Sequence, residues 1–294
     1  MALLIGIFVA VFFWLSHPKI TTQAHQKINI VAAENVWGDI ARQIGGENVS
    51  VTSLINDPAT DPHLYESSAK DASAVDTASI VIVNGQGYDD FIDKLLPATP
   101  RADRHVINIA SVLEAKPGDN PHFWYDIART SVVAAQLEQT LASSDPQHAG
   151  MYSANLASFV ESLQPLFGVI QTIDSVYPQA PVAYTERLPG YLITATNLAV
   201  KSPEGFAQAI ENGSDPSPGD QTTFTSLINK KQIRLLFYNS QASSPAAEKV
   251  RAAAEKNSIP VVALTEMLPK NMPSYQAWQL SQLQAILTAF ERTK

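Results

Sequence analysis

The stretch MYSANLASFVESLQPLFGVIQTIDSVY, residues 151–177, carries an apolar side chain at every third or fourth position. This spacing places the apolar side chains on one face of a helix. A helix of about 30 residues measures about 45 Å, at a rise of 1.5 Å per residue. The positions that form the stripe are Tyr152, Leu156, Phe159, Leu163, Leu166, Ile170, Ile173 and Tyr177.

A helix of this length predicts a rigid connection between two domains rather than a flexible linker. The heptad spacing is also typical of a coiled-coil dimer, but a single stripe that lies over two domains of one chain is the preferred interpretation, so we expect a monomer. Pro165 lies inside the pattern and has no backbone N–H to donate. The helix is therefore expected to kink between Phe159 and Gln164.

Short apolar runs alternate with helical patterns on both sides of this helix. Nearly continuous apolar strands separated by helices predict a mostly parallel sheet covered on both faces. We therefore predict an α/β fold of two lobes, each with a four-stranded sheet flanked by helices: residues 27–146, the long helix 147–178, and residues 179–294. The predicted strands are 28–32, 49–55, 79–83 and 106–109, then 181–184, 198–200, 233–238 and 260–264.

The first 26 residues have the character of a leader. Residues 2–15 are an apolar run, too short for the roughly 20 residues of a membrane-spanning helix but typical of a signal-peptide core. Residues 1–26 are expected to be a signal peptide or N-terminal anchor, which predicts export to the periplasm or the outer face of the cytoplasmic membrane. A buried N-terminal helix is the alternative.

Composition excludes several classes of function. The 294 residues include 20 Lys and Arg against 28 Asp and Glu, a formal net charge of -8. Nucleic-acid binding is not expected, because it depends on basic side chains that neutralise phosphates. The sequence contains no cysteine, so these residues cannot form a thiolate zinc site, an iron–sulfur cluster or a Cys-linked lipid.

Two histidines stand in matching surroundings. His63 lies in DPHLYE, residues 61–66, after the second predicted strand, and His122 lies in NPHFWYD, residues 120–126, after the fourth. Open α/β folds bind ligands at the carboxyl ends of parallel strands, and a preceding proline stiffens the turn that holds each imidazole. Asp61 and Asn120 can each accept a hydrogen bond from an imidazole N–H, or else cap the following helix. The remaining histidines are interpreted as structural: His17, His25, His105 and His148.

These motifs and the inter-lobe helix resemble the cluster A-I metal-binding solute-binding proteins of ABC transporters, the zinc and manganese receptor family. The resemblance covers the chain after residue 27. It implies that His63 and His122 bind one divalent metal ion as cargo between the lobes, for delivery to a membrane permease. Position by position, it implies Glu186 as the third ligand and Glu266 as the fourth, where the family normally has Asp.

The ligand types favour one metal over others. Two imidazoles and two carboxylates with five or six bonds suit Mn²⁺ or Fe²⁺ better than four-coordinate Zn²⁺, although Zn²⁺ has the higher intrinsic affinity for such ligands. Zinc importers of the family often carry a His-rich loop near the second motif, whereas residues 114–119 are short and contain no histidine. We expect Mn²⁺ first, Zn²⁺ next and Fe²⁺ third.

The same residues also occur in proteins of other functional classes. A mononuclear metallohydrolase would need an open coordination position and a general base, and the sequence has no His-Glu-x-x-His pair, no nucleophile elbow and no complete dinucleotide-binding loop. We therefore expect no enzyme. A metal-dependent surface adhesin or metal buffer with the same site stays open, whereas the Pro-His motifs argue against an organic ligand.

Overall fold

The structure is a computed structural model, and it describes residues 27–57, 60, 65–241 and 244–293. It contains two four-stranded parallel sheets, one in each half of the chain. The first sheet has the order β2-β1-β3-β4 and the second β6-β5-β7-β8, which confirms the predicted two-lobe α/β class. The strands are β1 Ile28–Glu34, β2 Val49–Ile55, β3 Ile80–Val83, β4 His105–Asn108, β5 Pro181–Tyr184, β6 Ala199–Val200, β7 Leu235–Asn239 and β8 Val261–Leu264.

Helices cover both faces of each sheet, which explains why every residue of β3 and of β7 is buried. In the first lobe the helices are α1 Asn35–Gly45, α2 Ala69–Thr77, α3 Phe91–Ala98, α4 Ile109–Val112 and α5 Ile127–Ser144. Two connecting helices follow, α6 Ala149–Ser162 and α7 Gln164–Val176. In the second lobe they are α8 Gly190–Ala195, α9 Glu204–Glu211, α10 Pro218–Asn229, α11 Pro245–Lys256 and α12 Tyr275–Glu291.

The connection between the lobes is two helices rather than the single long helix that the stripe predicts. The break falls at Leu163, inside the range in which the sequence predicts a kink. Pro165 lies in the first turn of α7, where proline is well tolerated because its missing N–H is one of those at a helix start. Leu163 keeps right-handed helical angles, so the interruption is a single residue at the place where the sequence predicts a kink.

The apolar stripe packs on both lobes of the same chain. α6 packs on α1 and α5 of the first lobe, and α7 packs on α12 of the second. Two ring contacts also join the stripe to α12: Phe159 of α6 stacks on Tyr275, with ring centroids 6.5 Å apart, and Tyr177, which follows α7, stacks on Phe290 at 4.6 Å. The apolar spacing is therefore used for packing within the chain.

Further contacts bind the two lobes where the strands of the first sheet end. The side chain of Asn35 donates to the carbonyl of Leu268 at 2.8 Å and accepts from its N–H at 3.0 Å. At the start of α12, the N–H of Tyr275 donates to Asp39 at 2.9 Å. These bonds draw the end of β1 against the loop that follows β8.

No helix in the described part of the chain has both the length and the apolar character needed to cross a bilayer. The expected signal peptide, residues 1–26, lies outside the described residues.

Candidate metal centre

The second Pro-His motif places its imidazole in the interior between the lobes. His122 ends the loop after α4 and begins the short 3₁₀ helix Phe123–Tyr125. Its side chain is fully buried. The ring packs edge-on against Trp124 and Tyr88, at centroid distances of 5.5 and 5.7 Å. The aromatic walls exclude water from the imidazole and limit how far it can turn.

Asn120 orients the imidazole. Its Oδ1 lies 2.6 Å from Nδ1 of His122 and accepts from the His122 backbone N–H at 3.1 Å. Its Nδ2 donates to the carbonyl of Arg187 in the second lobe at 2.7 Å, which fixes which end of the amide faces the ring. Of the two roles that the sequence allows, Asn120 therefore has the contact with the imidazole, and Asp126 caps α5.

Glu266 from the second lobe meets the other ring nitrogen. Its Oε1 lies 3.0 Å from Nε2 of His122, and both side chains are fully buried. The loop that carries Glu266 follows β8 and is held by Gln241, whose Oε1 accepts from the backbone N–H groups of Glu266 and Met267 at 2.6 and 2.7 Å. The candidate ligand of the first lobe, His122, is thus in direct contact with the candidate ligand of the second, Glu266.

Asn239 links the two carboxylates of the second lobe. As the last residue of β7, it points its Nδ2 at Oε2 of Glu186 (2.8 Å) and at Oε2 of Glu266 (3.2 Å). All three side chains are buried. Glu186 follows β5 by two residues, so the ends of β5, β7 and β8 together bring these groups to one place.

The contact between His122 and Glu266 has a spacing that a metal ion also produces. Nδ1 of His122 faces the Asn120 oxygen and Nε2 faces the Glu266 oxygen at 3.0 Å. In a neutral ring whose proton is on Nδ1, Nε2 has the lone pair, and either a proton or a cation then lies between it and the carboxylate. Two neighbouring donors on one transition metal, with bonds of about 2.1 Å at right angles, are also about 3 Å apart.

The first Pro-His motif is not part of this geometry. His63 and Asp61 lie outside the described residues. Within the described ranges, no three His, Cys, Asp or Glu side chains form a group that could hold a metal ion. His122, Glu186 and Glu266 are brought to one buried place, with His122 bonded to Glu266 and Glu186 to Asn239. Their donor set, imidazole nitrogen and carboxylate oxygen without sulfur, has the chemistry of a divalent transition-metal site.

Two further carboxyl groups lie beside the site. Burial, and next to it the charge of Asp89, raises the pKa of Glu34 well above the usual range. Burial also raises the pKa of Asp89 to about 6, although its two oxygens accept from the N–H groups of Asn84 and Gly85 at 2.6 and 2.8 Å. Tyr88 lies close to both Glu34 and Glu266, because burial and then the charges of Glu266 and Glu34 raise the pKa of its hydroxyl.

Arg187 does not neutralise the site. Although it adjoins Glu186 in sequence, its guanidinium pairs with Glu211 at 2.8 Å. The Glu211 carboxylate also accepts from the Arg187 backbone N–H at 2.6 Å. The buried carboxylates of Glu186 and Glu266 therefore have no ion pair with this arginine, in agreement with a site that takes a cation.

Sequence reasoning missed three groups of the site: Glu34, Tyr88 and Asn239. Glu34 and Asn239 each end a strand, so the rule that ligands gather at the carboxyl ends of parallel strands contained the signal. Tyr88 follows β3 by five residues, and no spacing in the sequence distinguishes it from other loop tyrosines.

Comparisons with known proteins agree with this picture. The family model described as zinc-uptake complex component A, periplasmic, matches residues 30–289. A manganese-binding lipoprotein of Halalkalibacterium halodurans is 29% identical over 151 residues, which span 50% of this chain and 49% of that protein. The manganese-binding lipoprotein of Bacillus subtilis is 25% identical over 250 residues, 79% of this chain and 78% of that protein. The solved periplasmic zinc-binding protein of Treponema pallidum has the same fold, with a TM-score of 0.75, 18% identity, and coverage of 90% of this chain and 99% of that one.

Proposed function

Because this chain belongs to the family of periplasmic zinc-uptake components, we propose that it is the extracytoplasmic substrate-binding protein of a metal-ion ABC importer. It takes one divalent transition metal as cargo between its lobes and delivers it to a membrane permease. The ligands are His63, His122, Glu186 and Glu266, with Asn120 and Asp61 as the residues that orient the imidazoles.

One observation carries this proposal above the others. His122 of the first lobe and Glu266 of the second meet at 3.0 Å in a fully buried centre, with an imidazole nitrogen on one side and a carboxylate oxygen on the other. A cation that binds both groups links the lobes and stabilises their closed arrangement. Release to the permease then requires the lobes to separate, which exposes the ion to water and to the partner's ligands.

The proposed cargo is Mn²⁺ first, with Zn²⁺ next and Fe²⁺ third. Carboxylates predominate among the buried donors of the described residues, and oxygen ligands in number suit Mn²⁺. The Bacillus relative is named for manganese and the Treponema structure for zinc, so both ions occur among the proteins that this chain is similar to. The two imidazoles keep Zn²⁺ a strong competitor.

Transport rather than catalysis is proposed for the site. His122 and Glu266 are wholly covered, and their contact with each other allows an ion but no organic substrate between them. The relatives named above are lipoproteins, whereas the 294 residues given contain no cysteine.

Metal content measured under competition tests the proposal. Residues 27–294 are purified from medium with equal Mn²⁺, Fe²⁺ and Zn²⁺, metals are counted by mass spectrometry, and melting curves are recorded before and after chelation. We expect one metal per chain, mostly Mn²⁺, and a fall in melting temperature when it is removed. Absence of metal, with no shift on adding any of the three ions, would refute the transport function.

A further inference from the structure

We propose that Glu34 supplies an additional carboxylate oxygen to the bound ion, and that this fifth ligand is what makes the site prefer Mn²⁺ over Zn²⁺. The inference rests on the proposed function, and goes beyond the four ligands that the sequence predicts. It follows from the burial of Glu34, from its lack of partners, and from its position in the sheet.

Glu34 is a buried carboxyl group without a hydrogen bond to any other residue that the structure describes. Its side chain is fully buried. Neither oxygen has a hydrogen-bond partner in another residue of the described part of the chain. It occupies the N-cap position of α1 but its side chain makes no cap bond. Such a group is costly to keep in a protein interior unless a cation or a donor joins it.

The neighbouring acid does not share this property. Asp89 is also buried, but its two oxygens accept from the backbone N–H groups of Asn84 and Gly85 and shape the turn after β3. Glu34 makes no comparable bond to another residue of the described ranges. The negative charges of Asp89 and Glu266 add to the effect of burial in raising its pKa. Only a cation relieves this repulsion while both carboxylates remain ionised.

The two sheets place Glu34 at the counterpart of a predicted ligand. In the orders β2-β1-β3-β4 and β6-β5-β7-β8, strand β1 corresponds to β5 and β3 to β7. Glu34 ends β1 as Glu186 follows β5, and Asn84 follows β3 as Asn239 ends β7. The paired bonds between Asn35 and Leu268 then hold the residue after Glu34 against the residue two after Glu266. The first sheet thus presents its carboxylate to the loop that carries Glu266.

A fifth ligand has a predictable effect on metal choice. Zn²⁺ is satisfied by four ligands in tetrahedral geometry, which two imidazoles and two carboxylates provide. Mn²⁺ prefers more ligands and harder ones, and an additional carboxylate serves both needs. Removal of the Glu34 charge should therefore weaken Mn²⁺ binding much more than Zn²⁺ binding.

The test compares Glu34→Gln with wild type and with a control variant, Asp145→Asn. The control removes the charge of a buried carboxylate away from the site, which bonds to Tyr152 and His148. Dissociation constants for Mn²⁺ and Zn²⁺ are measured by competition with a chelating indicator, and coordination number by X-ray absorption of the Mn-loaded proteins. We expect Glu34→Gln to lose about tenfold or more in Mn²⁺ affinity, less than about threefold in Zn²⁺ affinity, and one oxygen from the Mn²⁺ shell. The control should match wild type.

Unchanged affinities and an unchanged absorption spectrum in Glu34→Gln would overturn the proposal, as would equal losses for both ions. If wild type itself binds neither ion, the proposed function fails instead, so the two failures are distinguishable. Melting of the metal-free variants checks that they fold. If Glu34→Gln does not fold, Glu34→Asp takes its place in the test. The shorter Asp side chain holds its carboxylate farther from the ion, so this variant should show the same selective loss of Mn²⁺ affinity.

Discussion

Two carboxylates at corresponding strand ends, Glu34 in the first lobe and Glu186 in the second, differ in how the protein holds them. Glu186 accepts from Asn239 at 2.8 Å. Glu34 has no such donor among the described residues, because the corresponding Asn84 instead donates to the carbonyl of Pro121 and accepts from Trp37. In the second lobe the strand-end asparagine therefore bonds to the carboxylates. In the first lobe it bonds to the loop that carries His122, and Glu34 has no donor among the described residues.

Asn84 shows why the lobes differ. Its bond to Pro121, at 2.9 Å, holds the residue directly before His122. The Asn84 Nδ2 donates to the carbonyls of Gly85 and Pro121 and makes no bond to Glu34. The first lobe thus uses the asparagine after its strand to place a histidine, and the second uses its own to place two glutamates. Pre-organisation of this kind reduces the cost of ordering ligands when the ion binds.

Removal of the imidazole that contacts Glu266 should give the largest effect. His122→Ala removes the only described nitrogen ligand of the proposed site, and we expect metal affinity to fall by more than about 100-fold, beyond the usual cost of losing a supporting residue. Titration calorimetry with Mn²⁺ and Zn²⁺ measures it. His148→Ala is the control, since His148 bonds to Asp145 away from the site. Equal loss in both variants would show that the site is assigned to the wrong residues.

Loss of the donor that holds Glu186 should have the next largest effect. Asn239→Ala leaves Glu186 and Glu266 without their shared N–H, and we expect affinity to fall by about 10- to 100-fold. Competition with a chelating indicator checks this result. Asn229→Ala, at the exposed end of α10, provides the matched control. If Asn239→Ala binds as tightly as wild type, fixed carboxylates are not what distinguishes the second lobe.

A smaller loss is expected at the amide that orients the imidazole. Asn120→Ala removes the acceptor for Nδ1 of His122 and the bond to the Arg187 carbonyl, so affinity should fall by about tenfold. Asn120→Asp keeps the acceptor for Nδ1, but it replaces the bond to the Arg187 carbonyl with repulsion between two oxygens and adds a negative charge beside the imidazole. Its affinity should therefore lie between those of wild type and Asn120→Ala, and the reverse order would contradict the orienting role.

The smallest effect concerns the stability of the metal-free protein. Burial raises the pKa of Glu34 well above its usual value of 4.5. At a pH between 4.5 and the pKa of the folded state, the folded protein therefore binds more protons than the unfolded one. The contribution of Glu34 to the free energy of unfolding therefore falls as pH rises through 4.5 and beyond. Denaturant melts of wild type and Glu34→Gln across pH 4–8 measure the difference. A wild type that gains stability relative to the variant with rising pH would reverse this sign.

The fold was largely predictable from the sequence because apolar runs in a doubly covered parallel sheet are nearly continuous. The run 49–55 and the run 181–184 coincide with β2 and β5, and the order of strands and helices follows from the alternation of patterns. The helix break at Leu163 was predicted as a kink, since a proline in a first turn and a proline in mid-helix give the same sequence pattern.

The site was predictable only in part. His122 and Glu266 are in contact as one site requires, but their roles as ligands remain a prediction, as does that of His63. Glu34 escaped notice because an acidic residue between a strand and a helix has the pattern of an ordinary solvated helix start. The neighbouring residue Asn35 bonds to Leu268, 233 residues away in the chain, and no local pattern contains such a long-range contact.

Anomalous diffraction from crystals of the Mn²⁺-loaded protein, recorded on both sides of the manganese absorption edge, tests the central claim most directly. One strong peak is expected between the lobes, bonded to Nε2 of His122 and to carboxylate oxygens of Glu186, Glu266 and Glu34, with His63 as the remaining nitrogen ligand. A peak elsewhere on the protein, or a fully loaded crystal in which His122 and Glu266 still bond to each other without an ion, would contradict it.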